Sequence, residues 1–132
     1  MKQTLLMEKY PVYSMVLPKN ETSRQSVDEI IDYLKEHIEA HPIARYIATF
    51  DHYRHTLELP ESSIDEDILD AKDIVFCFGL AIPNAEVLAI RPRSIGVAER
   101  HQDFVISFLE APMPMANSAM ETWARGLMDL AV

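Results

Sequence analysis

The sequence predicts an α+β domain built on a single, mostly antiparallel sheet of about five strands, covered by an N-terminal and a C-terminal helix. Three observations carry this reading. Runs rich in β-branched and aromatic residues recur at 12–17, 44–51, 74–78, 94–99 and 103–110. Helical hydrophobic spacing sustained over several turns is found near the two ends of the chain, and strands and helices do not alternate strictly, as a parallel sheet would require. A chain of 132 residues, 48% hydrophobic, has the size and apolar content of one domain, taken here as residues 1–132.

The elements follow in order. "YPVYSMVLP" is bounded by prolines and rich in β-formers, which reads as a first strand near Val12 to Leu17. Ser26 with Glu29 three residues on forms a capping box. Val27, Ile30, Ile31, Leu34 and Ile38 then recur at helical spacing, so one face of this helix covers the sheet. Pro42 ends it, because the residue before a proline is pushed out of the helical region. Residues 44–51 return as a strand. Ser63 and Glu66 form a second capping box, which predicts a short helix carrying Ile64, Ile68 and Leu69.

"DIVFCFG" is a continuous apolar run, the pattern of a central strand buried on both faces, at Ile74 to Phe78. Pro83 and Asn84 open a short helix over about 85–90. "SIGVAE" and "DFVISFLE" flank the polar connection "RHQ" as a hairpin. After the linker "APMPM", Asn117 opens a last amphipathic helix with Met120, Trp123, Ala124, Leu127 and Met128 along one face.

Charge and composition narrow the function. The 21 acidic and 12 basic residues leave a net charge of -9, which repels phosphate backbones and predicts no nucleic-acid partner. The lone Cys77 lies in an apolar run and has no partner for an intramolecular disulfide, so a structural thiol in a reducing compartment is expected. The N-terminal stretch lacks the apolar core of a signal peptide, and the longest apolar run, 74–82, is about half of what a bilayer requires. A cytoplasmic protein with no membrane association is therefore expected. Three glycines supply no phosphate-cradling loop of the GxGxxG or Walker type, and the identity of any cofactor is left open by the sequence.

The stretches "RYIATFDHYRH", "DIVFCFGLAIPNAEVL" and "RPRSIGVAERHQDFVISFLEAP", followed by a terminal helix, resemble in type and order the small bacterial domain-of-unknown-function family three hundred and two, over residues 22–130. On that resemblance Asp51 and His52 fall on the family's Asp-His pair, Gly79 on its strand-ending glycine, and Pro83 and Pro92 on its two prolines. The resemblance implies a compact α+β unit, often homodimeric, and carries no established activity.

The candidate site residues are Asp51, His52, His55, Arg91 and Arg93. A histidine beside a carboxylate at a strand end can exchange protons near neutral pH, whereas a strand-terminating Asp beside a packed His is the structural alternative. His52 and His55 are three apart, which suits a metal only on a helical or tight turn, and neither HExxH nor CxxC accompanies them. No metal site is assigned. His37 and His41 share a helix face near its C-terminus, where the helix dipole favours imidazolium. "DEDILD" lacks the glycine of a calcium loop and reads as a solvated helix face. Arg91 and Arg93 are a local positive pair whose forked guanidinium groups suit carboxylate or phosphate, or the chain's own acids.

The expected function is a homo-oligomeric binding module for a small ligand, anionic if the arginines face His52, or for a protein partner. The alternative is a small enzyme or metal-binding protein using the Asp51/His52 cluster.

Overall fold

The computed structural model describes residues 1–130. Six strands form one antiparallel sheet: β1 (Lys2–Leu6), β2 (Tyr10–Pro18), β3 (Ala44–Phe50), β4 (Asp70–Phe78), β5 (Arg93–Glu99) and β6 (Asp103–Leu109), in the order β1-β2-β6-β5-β4-β3. The helices are α1 (Val27–Ala40), α2 (His52–Leu57) and α3 (Pro114–Arg125). The fold class is as expected, with one more strand than the five anticipated. The extra strand is β1, whose five residues are all exposed and so carry no buried alternation by which a strand could be recognised.

α1 lies across β3, β4 and β5. Its start is built as the capping box predicts: the Ser26 hydroxyl oxygen accepts from Glu29 N–H at 3.1 Å, and the Glu29 carboxylate accepts from Gln25 N–H at 3.1 Å. Val27, Ile30, Leu34 and Ile38 are fully buried against Ile74, Phe76, Ile95, Val97, Phe104 and Ile106 of the sheet. Lys72, on the same side of β4, reaches the Asp28 carboxylate in the first turn of α1 at 2.5 Å.

α3 completes this layer by stacking Trp123 on Phe78, with ring centroids 5.9 Å apart and planes 10° apart. It begins at Pro114 rather than Asn117, since proline is preorganised for the first helical position. Asn117 instead pins the preceding linker, with Oδ1 accepting from Ala111 N–H and Nδ2 donating to Ala111 C=O. The Tyr33 hydroxyl of α1 donates to Trp123 C=O at 2.7 Å and satisfies a terminal carbonyl of α3.

One local expectation fails for an identifiable reason. Residues 61–69 are not helical: Asp65 turns back on its own backbone, accepting from Asp67 N–H at 2.9 Å, and Leu69 N–H donates to Glu99 C=O at 2.8 Å. Such local side-chain bonds compete with the helical ladder. The short helix is found earlier, as α2. The short helix expected after Asn84 forms as a 3-10 helix, Ala85–Ala89, with Asn84 Oδ1 accepting from Val87 N–H as its cap.

β4 is interior to the sheet, yet only one of its faces is buried. Ile74, Phe76 and Phe78 face the helices, while Asp73, Val75 and Cys77 are half-buried on the other side. The sheet is thus covered by α1 and α3 on one face and left largely open on the other. Many of the side chains on its open face are small, with Phe50, Leu109 and Arg45 among the larger ones. The row through its middle reads Ser14, Ser107, Gly96, Asp73 and Phe50 in register.

Candidate functional site

The open face carries a charged group at Asp73, and α2 covers it. Asp51 ends β3 and caps α2, its carboxylate accepting from Arg54 N–H at 3.0 Å. That cap turns the chain across the sheet rim and brings His52 over β4. There His52 Nδ1 lies 2.8 Å from Asp73 Oδ2. The histidine's partner is therefore Asp73, twenty-one residues on, and Asp51 serves the helix.

Gly96, next to Asp73 across the β4–β5 pair, leaves room for the carboxylate: a Cβ there would come within 3.2 Å of Asp73 Oδ1. Phe50 supports the ring from the side. Its centroid is 5.0 Å from His52 and 5.1 Å from His55, so the two histidines flank one aromatic ring on successive turns of chain.

Between α2 and the segment that follows it lies a recess of about 280 Å³, lined by His52, Tyr53, Thr56, Ser63, Ile64, Asp65, Ile68 and Ala71. An ionised Asp73 only accepts hydrogen bonds, so Nδ1 carries the hydrogen between them. Nε2 is then the ring atom free to meet another group, an acceptor in the neutral ring and a donor in the protonated one. The Thr56 hydroxyl is engaged with His52 C=O at 3.0 Å.

The arginines belong elsewhere. Arg93 pairs with Phe76 in the sheet and shares the helix-covered side with Ile95 and Val97, whereas Asp73 is on the open side. Its guanidinium donates to the carbonyls of Ile90, Leu109 and Glu110 at 3.1, 2.7 and 3.0 Å, stapling the ends of β5 and β6. Burial lowers its pKa from the usual value. Arg91 donates to Ala81 C=O at 2.6 Å and lies against Gly79, whose φ of +121° and lack of a Cβ admit the guanidinium. A second hollow, of about 710 Å³, is lined by Arg93, Glu110 and, from α3, Glu121. Asp51, His52 and His55 are brought together; Arg91 and Arg93 do not join them.

His37 and His41 serve the fold. His37 packs on Tyr33 with centroids 4.3 Å apart, and His41 Nδ1 accepts from Ile43 N–H at 3.2 Å. Among the described residues no three His, Cys, Asp or Glu side chains converge as metal ligands, and no helix is long and apolar enough to cross a membrane.

Asp73 was missed because its significance depends on strand register. The alternation of "DIVFC" marks Asp73, Val75 and Cys77 as one face, but only the β3–β4 pairing, Phe50 opposite Asp73, sets the carboxylate beside a residue that follows Phe50 by two.

A one-sided antiparallel sheet with a short helix roofing a histidine-carboxylate pair defines a small α+β domain. The chain belongs to the family of unknown function DUF6858, whose model matches residues 1–129. This corrects the resemblance to family three hundred and two. The residues behind that resemblance are general devices of chain turning: Asp51 is a helix cap and Gly79 a positive-φ residue closing a strand. Such features recur in many folds and do not distinguish families. No curated protein and no solved structure matches the chain.

Proposed function

We propose that this protein is a small-ligand-binding domain whose site is the recess under α2, with Nε2 of His52 meeting the ligand. The observation that carries the reading is the 2.8 Å bond from His52 Nδ1 to Asp73, which orients an otherwise mobile, half-exposed imidazole over a recess. A ring held this way recognises a specific partner atom without first losing its rotational freedom.

The surroundings favour one class of ligand. Asp73 bonds the ring and Asp65 lines the recess, while Arg91 and Arg93 are committed to backbone carbonyls at another part of the molecule. The anionic occupant expected from the sequence therefore loses its positive counterpart. A small neutral or cationic molecule with an N–H or O–H donor suits the site, its apolar part resting on Ile64, Ile68 and Ala71. A second reading, general-base catalysis, is favoured by the same carboxylate-imidazole order, in which Asp73 orients and His52 accepts a proton.

The test is a thermal-shift and NMR screen with small amines, amides and alcohols, set against carboxylates and phosphates. The first group should raise the melting temperature and move the His52 ring resonances, and His52→Ala should remove both effects while the protein stays folded. A response confined to anions, or one that survives His52→Ala, would refute the assignment.

Self-association into a homodimer is the second part of the proposal, supported by the outer edge of β1, which pairs only with β2. The cytoplasm remains the proposed compartment, since one thiol needs no oxidising environment.

A further inference from the structure

The open face of the sheet has the composition of a covered surface. Its three middle strands contribute the stretches Tyr10–Val16, Val105–Leu109 and Ser94–Ala98, which hold no charged residue in a chain that is 25% charged. Val16 and Leu109 on this face are 52% and 46% exposed. Depletion of charge together with exposed apolar side chains marks the centre of an interface.

The relief of the face is complementary to itself. Read across the strands in register, one row runs Lys2, Ser14, Ser107, Gly96, Asp73. The next runs Val16, Val105, Ala98. Counted outward from β6, the larger residues Ser14 and Val16 of β2 match the smaller Gly96 and Ala98 of β5, and Lys2 matches Asp73. Turning the face over about β6 brings each of these onto its counterpart.

We propose that the open face packs on the open face of a second copy, about a two-fold axis that runs along β6 through Ser107. The inference rests on the self-association reading above and places the contact on the face instead of the β1 edge. Val16 of each copy fills the space over Ala98 of the other, Ser14 meets Gly96, and Lys2 comes opposite Asp73, each twice by symmetry. A different partner would have to present this relief in reverse, whereas a second copy carries it already. Packed sheets cross at about 30°, which shifts Lys2, two strands from the axis, by about 5 Å, a distance its flexible stem spans. Asp103, where β6 begins, is neutralised by Arg100 of its own chain at 2.6 Å. β1 lies on the Val12 side of the Ser14 row and α2 on the Ala71 side, so each α2 lies beside the other copy's β1. Five strands about 4.8 Å apart, averaging about seven residues of about 3.4 Å, offer a flat area of about 570 Å² per copy, and the sum of about 1,100 Å² clears the roughly 1,000 Å² of a specific interface.

Sedimentation equilibrium of the full chain at about 100 µM, where a dissociation constant of about 10 µM leaves mostly dimer, reads the mass against that of one 15.1 kDa chain. Val16→Glu buries a carboxylate over Ala98 at two places and should weaken the dimer at least about ten-fold. Val16→Ala vacates the same contact and Ala98→Val overfills it, so each should weaken the dimer by about three- to ten-fold. The double variant Val16→Ala/Ala98→Val exchanges the two sizes and should return to within about two-fold of wild type. Within one chain β6 keeps these positions about 9.6 Å apart, so the compensation can arise only between two copies. This arm decides the matter should Val16→Glu disturb folding, which circular dichroism reports. A wild-type protein that is monomeric at this concentration overturns both the self-association reading and the face. A dimer that survives Val16→Glu, or a double variant weakened by the product of the two single effects, overturns the face alone.

Discussion

The contact between α1 and the end of α3 predicts an unusual response to adding one methyl group. Gly126 has φ -64° and ψ -13°, a helical conformation open to any residue. On backbone grounds Gly126→Ala should stabilise the protein by about 0.4–1 kcal/mol, through the entropy removed from the unfolded chain. The tertiary structure reverses that sign, because a Cβ at this position overlaps the hydroxyl of Tyr33. Tyr33 is 8% exposed, and its hydroxyl donates to Trp123 C=O at 2.7 Å. Displacing it strips a buried carbonyl and a buried hydroxyl of their bond, at about 1–3 kcal/mol. The net expectation is a loss of about 1–2 kcal/mol, or a few degrees in melting temperature for a chain of this size.

A double-mutant cycle isolates the cause. Tyr33→Phe removes the overlapping atom, so Gly126→Ala made in that background should revert to neutral or stabilising. The coupling between the two sites is then about 2 kcal/mol, well above the error of additivity. Urea unfolding followed by far-UV circular dichroism, on all four proteins, measures it. If Gly126→Ala stabilises the wild-type protein, or if its effect is the same with and without the hydroxyl, the argument from close approach is wrong.

Two further predictions concern the ends of the fold. Ser26→Ala should cost about 1 kcal/mol in urea unfolding by removing the acceptor for Glu29 N–H at the start of α1; an unchanged midpoint would mean that the capping box contributes nothing. Asp129 ties the chain's end to Ser23 and Arg24: it accepts from the Ser23 hydroxyl at 2.5 Å, Ser23 N–H at 2.7 Å and Arg24 at 2.8 Å. The Ser23 bonds chiefly, with the Arg24 charge adding, lower its carboxyl pKa below the ordinary 3.8. Stability from this tie is present above that ordinary value and is lost as pH falls through the depressed one. The midpoint difference between wild type and Asp129→Asn should thus be largest near neutrality and vanish in acid, and a difference that grows as pH falls would contradict it.

Much of the helical layer was legible along the chain. Helical spacing and a cap are local properties, set by residues three and four apart, so α1 from Val27 and its Ser26–Glu29 box could be read directly. The same logic misled at Ser63 and Glu66, because Asp65 offered the backbone a closer partner than the next helical turn. It misled again at β4, whose apolar run suggested burial on both faces although only the α1 side is covered. An apolar run records what a strand tolerates, and which face is covered depends on elements distant in sequence.

What the sequence determined by itself was the class of fold, the long helix and the neighbourhood of the site, since composition, periodicity and the Asp51–His52 turn are written in adjacent residues. What only the tertiary structure decided was partnership. Asp73 is joined to His52 because Phe50 pairs with Asp73 across β3 and β4. Arg91 and Arg93 are parted from His52 because β5 turns Arg93 to the opposite face and the loop after β4 engages Arg91. Register and face arise from pairings between strands far apart in the chain. A shift of one residue would exchange the two faces, so no local pattern could have stated which charges meet.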